Sequence, residues 1–432
     1  MTKKINILTM FRKIIIISFW ILSVLSGIIF SYENPETIDS IKHYFKGTEK
    51  IKGPLGVTLQ KGDIEANSFI ISFKPVLLFE NGYRTAFVSY SDHDDDFIKK
   101  KLKIYYQGGG VFEDSNYKES IFKSLTTDYN GGVKTIFTHK NNKFAFMSSF
   151  KKDCLYASIV SLQTNIEIFK TKCLPEENSE KNAGWVDFNG LGSASIHYQN
   201  KILLSVGAPE AYNNEIASLA QDKNSFFGKI IEIDKDDLDL VISKKREKIN
   251  PKIFSLGHRN PQGLTKINEL LFSVEHGPKG GDELNKIFIN KNYGWPESSY
   301  GNKYPEDSDK KYYNRNHEDY GFEEPLFALV PSVGITSINN CPKKLNDFYK
   351  RPCLLALSLW GNNLRPGKSI LIYLLNNDMT KVQSIEKIFI GDQMKLRHFV
   401  TNDKNELYED KNGDIYISVD GIGIHRLSFL GL

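Results

Sequence analysis

An all-β protein, a six-bladed β-propeller behind an N-terminal transmembrane or signal segment, is the fold class that this sequence predicts. Three observations carry it. A motif recurs in which turn residues lead into a short apolar run that often ends in Ser: NGYRTAFVS from Asn81, NKFAFMS from Asn142, NKILLSVG from Asn200, NELLFSVE from Asn268, RPCLLALSLWG from Arg351 and NGDIYISVD from Asn412. The six units recur at intervals of roughly 60 to roughly 85 residues, and each is too small to bury both faces of its own sheet, so neighbours must stack. Long helical periodicity is absent, and the aromatic content of 12%, with 28 Phe and 21 Tyr, favours strands. Radial stacking leaves only short, protected edges. A β-sandwich is the alternative, but six similar units exceed what one sandwich normally holds.

The chain opens differently. Lys3, Lys4, Arg12 and Lys13 precede an uninterrupted apolar run, residues 14–30, with no charge inside it. Positive charge before an apolar run is the pattern of an export segment whose N-terminus stays in the cytoplasm. The run is long for a signal-peptide core and just long enough to span a bilayer, and SYENPE follows in place of a small-x-small cleavage site. Residues 1–32 are therefore expected to be a signal anchor, with a cleaved signal peptide as the alternative, holding the protein at the inner membrane facing the periplasm or releasing it there. Residues 33–62 are polar and Lys-rich and read as a tether. The propeller is expected over 63–432, with polar insertions at 92–97, 208–227 and 295–324 collecting on one face.

Four cysteines fit an exported chain. Four allow three connectivities; local loops, Cys154 with Cys173 and Cys341 with Cys353, are the preferred pairing. A net charge of +4 from 56 basic and 52 acidic residues is near balance and gives no nucleic-acid surface. No GxSxG elbow, Walker loop or HExxH is present, so hydrolase, nucleotide and zinc-protease readings have no support.

Glycine, proline, charge and aromatic residues crowd into GHRNPQGL (257–264), EHGPKGGDELN (275–285) and NYGWP (292–296). Such punctuation means tight turns and exposed carbonyls, which is how loops build a site. The strand NELLFSVE lies between the first two clusters. Hard oxygen ligands from Asp282, Glu283 and neighbouring carbonyls suit calcium. A capping role for both acids at turns is the structural alternative. Arg259 beside Asn260 can present a planar guanidinium to a carboxylate.

In order and spacing, the three clusters resemble the signature of the soluble, quinoprotein-type glucose/sorbosone (aldose sugar) dehydrogenases. The resemblance implies a six-bladed propeller, the cofactor pyrroloquinoline quinone (PQQ), calcium and a small sugar as partner. It implies that Arg259, Asn260 and Arg397 (in KLRHF) lie in the PQQ pocket. The carbonyls of Gly277 and Pro278 would approach the calcium that grips PQQ, and Glu283 and Tyr293 would serve a second, structural calcium.

The chain also departs from that pattern. The family's proton acceptor is a His in an HxGGR-like turn before the third repeat, where this chain places Gly190 or Leu191; His197 lies nearby, inside a strand. Ala208 and Pro209 replace polar residues, and Trp360 stands where a Lys is expected. His93, among Asp92, Asp94, Asp95 and Asp96, reads as part of a solvated loop. Two functions remain open. One is an exported PQQ- and calcium-dependent dehydrogenase oxidising an aldose at C1 to the lactone, with its base unassigned. The other is a non-catalytic, calcium-stabilised propeller that binds a glycan or a protein.

Overall fold

Short apolar runs joined by tight turns become antiparallel hairpins here because the turn residues accept a left-handed backbone. Lys140 and Asn141 both have positive φ, 46° and 63°, and join strands whose register runs from Val133↔Met147 to His139↔Asn142. Gln199 and Asn268 (φ 50° and 54°) open the equivalent two-residue turns further along. The computed structural model describes residues 69–432, apart from 80–82, 91–101, 114–115, 128–129, 153, 175–185, 210–213, 304–312, 360–367 and 391–393. The expected anchor (1–32), the tether (33–62), the Asp92–Asp96 loop with His93, and Trp360 lie outside the described residues. Among those described, no helix is long and apolar enough to cross a membrane.

Six four-stranded sheets make six blades. Blade 1 holds Thr85–Tyr90, Leu102–Tyr106, Val111–Glu113 and Asn116–Lys118. Blade 2 holds Val133–His139, Asn142–Lys151, Cys154–Ser161 and Glu167–Lys170, and blade 3 holds Ser195–Tyr198, Lys201–Val206, Lys229–Asp234 and Lys252–Leu256. Blade 4 runs through Pro261–Ile267, Leu270–Glu275, Asp282–Ile287 and Phe327–Leu329; blade 5 through Ile335–Asn340, Cys353–Ser358, Ser369–Leu375 and Val382–Phe389. Blade 6 closes the ring: Leu396–Phe399, Ile415–Val419 and Gly423–Leu430 are joined by the first described strand, Ile70–Leu78, paired from Ile70↔Leu430 to Leu78↔Gly423. The first strands of the blades touch one another in sequence, and that of blade 6 touches that of blade 1, so they line the central channel.

The core is divided in the same way. One apolar wedge fills each gap between blades: Phe137, Phe146, Ile202 and Leu204 between blades 2 and 3, for instance, and Phe272, Val274, Leu354 and Tyr373 between blades 4 and 5. Strand alternation feeds two wedges at once, since Leu203 faces blade 4 while Leu204 faces blade 2. Both local disulfides form, Cys154–Cys173 and Cys341–Cys353.

One regularity positions the site. In five blades the pairing of the first two strands slips by one residue near its start, between Thr85/Phe87, Val133/Thr135, Pro261/Gly263, Ile335/Ser337 and Leu396/His398. A bulge of this kind re-aims the extra residue. The bulge residues are Ala86, Lys134, Gln262, Thr336 and Arg397, all at the same end of the channel. At the opposite end, Asn405 reaches from blade 6 to donate to Ile136 O (3.1 Å) and Ser195 O (3.2 Å). A polar cavity of about 330 Å³ lies there, far along the strands from the three signature clusters.

Candidate functional site

Gly257–Asn260 leads into the first strand of blade 4 and Glu275–Gly281 leaves its second strand. Because these strands are antiparallel, with Pro261 opposite Glu275, the two loops meet at one end of the channel. Gly257 is required there, because a positive φ suits glycine and leaves no room for strain relief in other residues. Its φ is 79°, and a Cβ would stand 2.1 Å from Asn292 Oδ1 and 2.7 Å from Gly294 N. That close approach seats NYGWP directly on GHRNP.

A buried polar pedestal supports the loops. His258 is fully buried, with Nε2 2.9 Å from Ser255 Oγ, Nδ1 3.1 Å from Glu275 Oε1, and its ring stacked on Tyr293 at 4.5 Å. Glu275 also accepts from Arg259 N (2.9 Å) and Asn285 Nδ2 (2.7 Å). Burial works to raise the Glu275 carboxyl, but the His258 charge and these bonds outweigh it and hold the group below the usual carboxylate range. Glu283 goes the other way: burial, then the charge of Glu275, push it well above that range.

The pedestal fixes Arg259. Its Nη1 donates to His276 O (2.9 Å) and Gly277 O (2.7 Å), and its guanidinium lies 5.2 Å from the Trp295 ring. Asn260 Nδ2 is 3.4 Å from His276 Nδ1, and Asn260 Oδ1 accepts from Gln262 Nε2 at 2.8 Å. Arg397 comes from blade 6 and grips Asp420 through Nε (2.9 and 3.1 Å) and Nη2. Its charge is felt on blade 4: burial first, then Arg259 and Arg397, press the His276 imidazole below its ordinary value, against the opposing charge of Asp282.

Two further cations stand at this mouth that sequence reasoning missed. Arg84, just before blade 1, is 3.7 Å from Asp420 and donates to Asn189 Oδ1 (3.2 Å). Lys134, the bulge residue of blade 2, donates to Asn130 O at 2.7 Å. Burial, with Arg84 and Arg397 as like charges, pushes its ammonium down to about 7, against the opposing pull of Asp187. The sequence did hold a signal for Lys134, the lysine inside the short strand VKTIFTH, but only knowledge of the bulge explains it.

The expected metal positions divide. Asp282 Oδ2 accepts from Val333 N (3.0 Å), Gly334 N (2.7 Å) and Ile335 N (3.1 Å), and Oδ1 from Gly277 N (3.2 Å), so this carboxylate caps the entry to blade 5. Glu283 is buried, bonded to Asn285 Nδ2 at 3.2 Å and 3.7 Å from His317 Nε2. The Tyr293 hydroxyl is occupied by Lys286 O (2.7 Å) and Phe288 N (2.9 Å). Pro278 is buried beside Gly277. A hollow of about 10 Å³ lies between Arg259, Glu275, Glu283, Tyr293 and Trp295, near the space that one water needs. Among the described residues no three His, Cys, Asp or Glu side chains converge as a ligand group, so a cation would have to draw on carbonyls.

The turn expected to carry a base is a short 3₁₀ segment, Phe188–Leu191, capped by Asp187, which accepts from Asn189 N at 2.8 Å. Gly190 is buried and Leu191 is fully packed in the wedge between blades 2 and 3. His197 is paired with Ile202 inside its strand, and burial pushes it down to about 4. Ala208 and Pro209 are buried; Ala208 packs in one cluster with Trp295 and donates its N–H to Arg259 O at 2.8 Å.

The sequence signature of the glucose/sorbosone dehydrogenase family matches residues 163–420, more than half of the chain. Aldose sugar dehydrogenase YliI of Escherichia coli K12 is 37% identical over 211 residues, 45% of this chain and 52% of that protein. Quinoprotein glucose dehydrogenase B of Acinetobacter calcoaceticus is 38% identical over 98 residues, 22% of this chain and 19% of that protein. The chain thus spans about half, or less, of the curated relatives it matches. The apo-form crystal structure of soluble aldose sugar dehydrogenase from E. coli superposes with a TM-score of 0.58 at 17% identity, covering 83% of this chain and 99% of that one, a likeness of fold alone.

Proposed function

The chain belongs to the glucose/sorbosone dehydrogenase family, and from that premise we propose that it binds PQQ at the channel mouth and oxidises an aldose at C1 to the lactone. The observation that supports this reading is the convergence of Arg259 and Asn260 from blade 4 with Arg84 and Arg397 from the blade 1–blade 6 seam. Basic groups arriving from separate blades suit a flat tricarboxylate better than a neutral ligand. Arg259, Asn260 and Arg397 would hold the cofactor, with Trp295 behind the Arg259 guanidinium. When bound, PQQ supplies the two-electron acceptor for the sugar. Calcium would sit by the carbonyls of Gly277 and Pro278. A second ion would sit by Glu283, whose buried, raised carboxyl lacks the four N–H donors that satisfy Asp282. Export to the periplasm accords with the two disulfides.

The second reading, a calcium-stabilised propeller that binds a glycan or protein without catalysis, is favoured by one observation. Leu191 lies in the hydrophobic core at the place expected for the base. A missing general base typically lowers the rate by ~10²–10⁴-fold, so turnover well below that of a family enzyme is expected. Reconstitution of the purified protein with PQQ and calcium, followed by dye reduction across several aldoses, separates the readings. Slow but saturable oxidation supports the first. Calcium binding with no PQQ binding supports the second, and brisk turnover shows that another residue takes the proton.

A further inference from the structure

Lys134 is an odd residue for its place. It is 9% exposed, on the innermost strand of a β-sheet, where apolar side chains normally line the wedge. An ammonium has three donors. Asn130 O takes one of them at 2.7 Å, and no other partner exists for it among the described residues. Among the described residues, the charged groups that face it are Arg84 ahead of blade 1, Asp187 from the turn before blade 3, and Arg397 from blade 6 with its partner Asp420. Among the described residues three basic groups meet two carboxylates, and both carboxylates are already engaged, Asp420 by Arg397 and Asp187 by the turn it caps. Buried charge without a partner is costly. With Lys134 protonated the described cluster is one negative charge short, so an arriving anion and a proton on Lys134 favour each other.

We propose that Lys134 is a ligand-positioning residue of the channel mouth, closing with Arg84 and Arg397 a clamp for one carboxylate of an anionic ligand, and that it takes up a proton as that carboxylate arrives. The clamp lies across blades 1, 2 and 6, opposite Arg259 and Asn260 on blade 4. With PQQ as ligand, the inference rests on the cofactor reading above; the carboxylate chemistry itself does not.

The balance is simple. At pH 8 an amine pushed down to about 7 by burial is largely neutral. Pairing with a carboxylate favours the ammonium, so binding draws close to one proton from the buffer per site. His276, also pressed downward by burial, is the other group at the mouth able to add a proton, and the variants below tell them apart.

The experiment is calorimetric titration of the full chain at pH 8, in two buffers of different ionisation enthalpy. PQQ is one probe; benzene-1,3,5-tricarboxylate, a flat tricarboxylate with no quinone, is the other. Proton uptake is expected with the native chain, and Lys134→Met should lose it together with roughly 10- to 100-fold in affinity. Lys134→Arg should keep most of the affinity but lose the uptake, because arginine stays charged throughout. That split is not expected from a merely structural lysine. Uptake that persists in both variants, or affinity unchanged in Lys134→Met, overturns the proposal, as does the failure of both probes to bind. Binding of the tricarboxylate with Lys134-dependent uptake, but none of PQQ, would leave the clamp standing and remove the cofactor reading. PQQ binding indifferent to Lys134 would do the reverse.

Discussion

Arg259 is held by two carbonyls, one ring and one backbone bond, and each constrains what its removal should do. Arg259→Ala deletes a charged donor from the proposed PQQ site, so PQQ affinity should fall by ~1.5–3 kcal/mol. The same change frees His276 O and Gly277 O, which accept from its Nη1. Calcium affinity should therefore change less than PQQ affinity; equal losses of both in calorimetry would mean that Arg259 only shapes the loop. A second residue, His398, reports on acid stability. Burial first, and Arg397 beside it, press the imidazole down to about 4, against an opposing Asp420. Its folded value lies below the ordinary 6.5, so between those values the unfolded chain binds a proton that the folded chain refuses. Stability must then fall as pH drops from about 6.5 to about 4, by at most ~3 kcal/mol from this residue. Carboxylates held low, such as Glu113 beside Lys103, lose their contribution only at lower pH. The gap between urea midpoints at pH 7.5 and 5 should narrow in His398→Gln, with His197 and the other buried imidazoles accounting for what is left; an unchanged gap assigns the loss elsewhere. At this scale the sequence was legible where neighbours in the chain are neighbours in space. Arg259, Asn260, Gly277 and Glu283 share one local hairpin region, whereas Arg84 and Lys134 join the mouth only through contacts between blades.

The serine of the repeat has a physical reason that its pattern alone did not show. Ser205 accepts from Ala194 N (2.8 Å) and donates to Pro261 O (3.0 Å), linking two strands of blade 3 to the first strand of blade 4. Ser148 accepts from Gly132 N (2.6 Å), and Ser418 from His398 N (3.0 Å), each at the start of a bulged first strand. A bulge leaves backbone groups off the ladder, and a small hydroxyl at this position pairs them again. Ser205 lies in the blade whose first pairing has no slip, yet it takes up Ala194 N and Pro261 O, so Ser205→Ala should cost about 1–3 kcal/mol for stranding them, while leaving the packing volume nearly unchanged. A urea midpoint within error of the native value would count against this bridging role. The repeat also shows how far a one-dimensional pattern reaches. Five of its six copies mark the second strand of a blade, as with Leu270–Glu275, but the copy from Asn81 marks the first strand of blade 1, Thr85–Tyr90. Turn residues and apolar runs announce hairpins, and nothing local distinguishes the first strand of a hairpin from the second.

Six wedges of apolar contact, each shared by two blades, make the propeller a ring with no independent part. Such a ring is as secure as its seam, and the seam is the pairing of Ile70–Leu78 with Gly423–Leu430. Phe73 stacks on His425 at 4.8 Å, and Phe69 meets Phe429 edge-on at 5.9 Å. The seam also carries Arg397 and Asp420 on blade 6 beside Arg84 on blade 1, so ring closure and site assembly are one event. A chain lacking residues 70–78 would bare the edge of its last strand and uncover part of Ile424, Leu427 and Phe429. Several half-buried side chains, at up to ~1.5–3 kcal/mol for each one fully buried, put the loss on the order of 5 kcal/mol, much of a typical domain's stability. An exposed apolar edge also templates association with other chains. The deletion should melt far below the native chain and elute as oligomers, with anion binding at the channel mouth lost in parallel. Phe73→Ser, a milder lesion of the same seam, should lower the melting point without abolishing binding. A deletion variant that stays monomeric, melts with the native chain and still binds the tricarboxylate probe would show that the ring closes elsewhere.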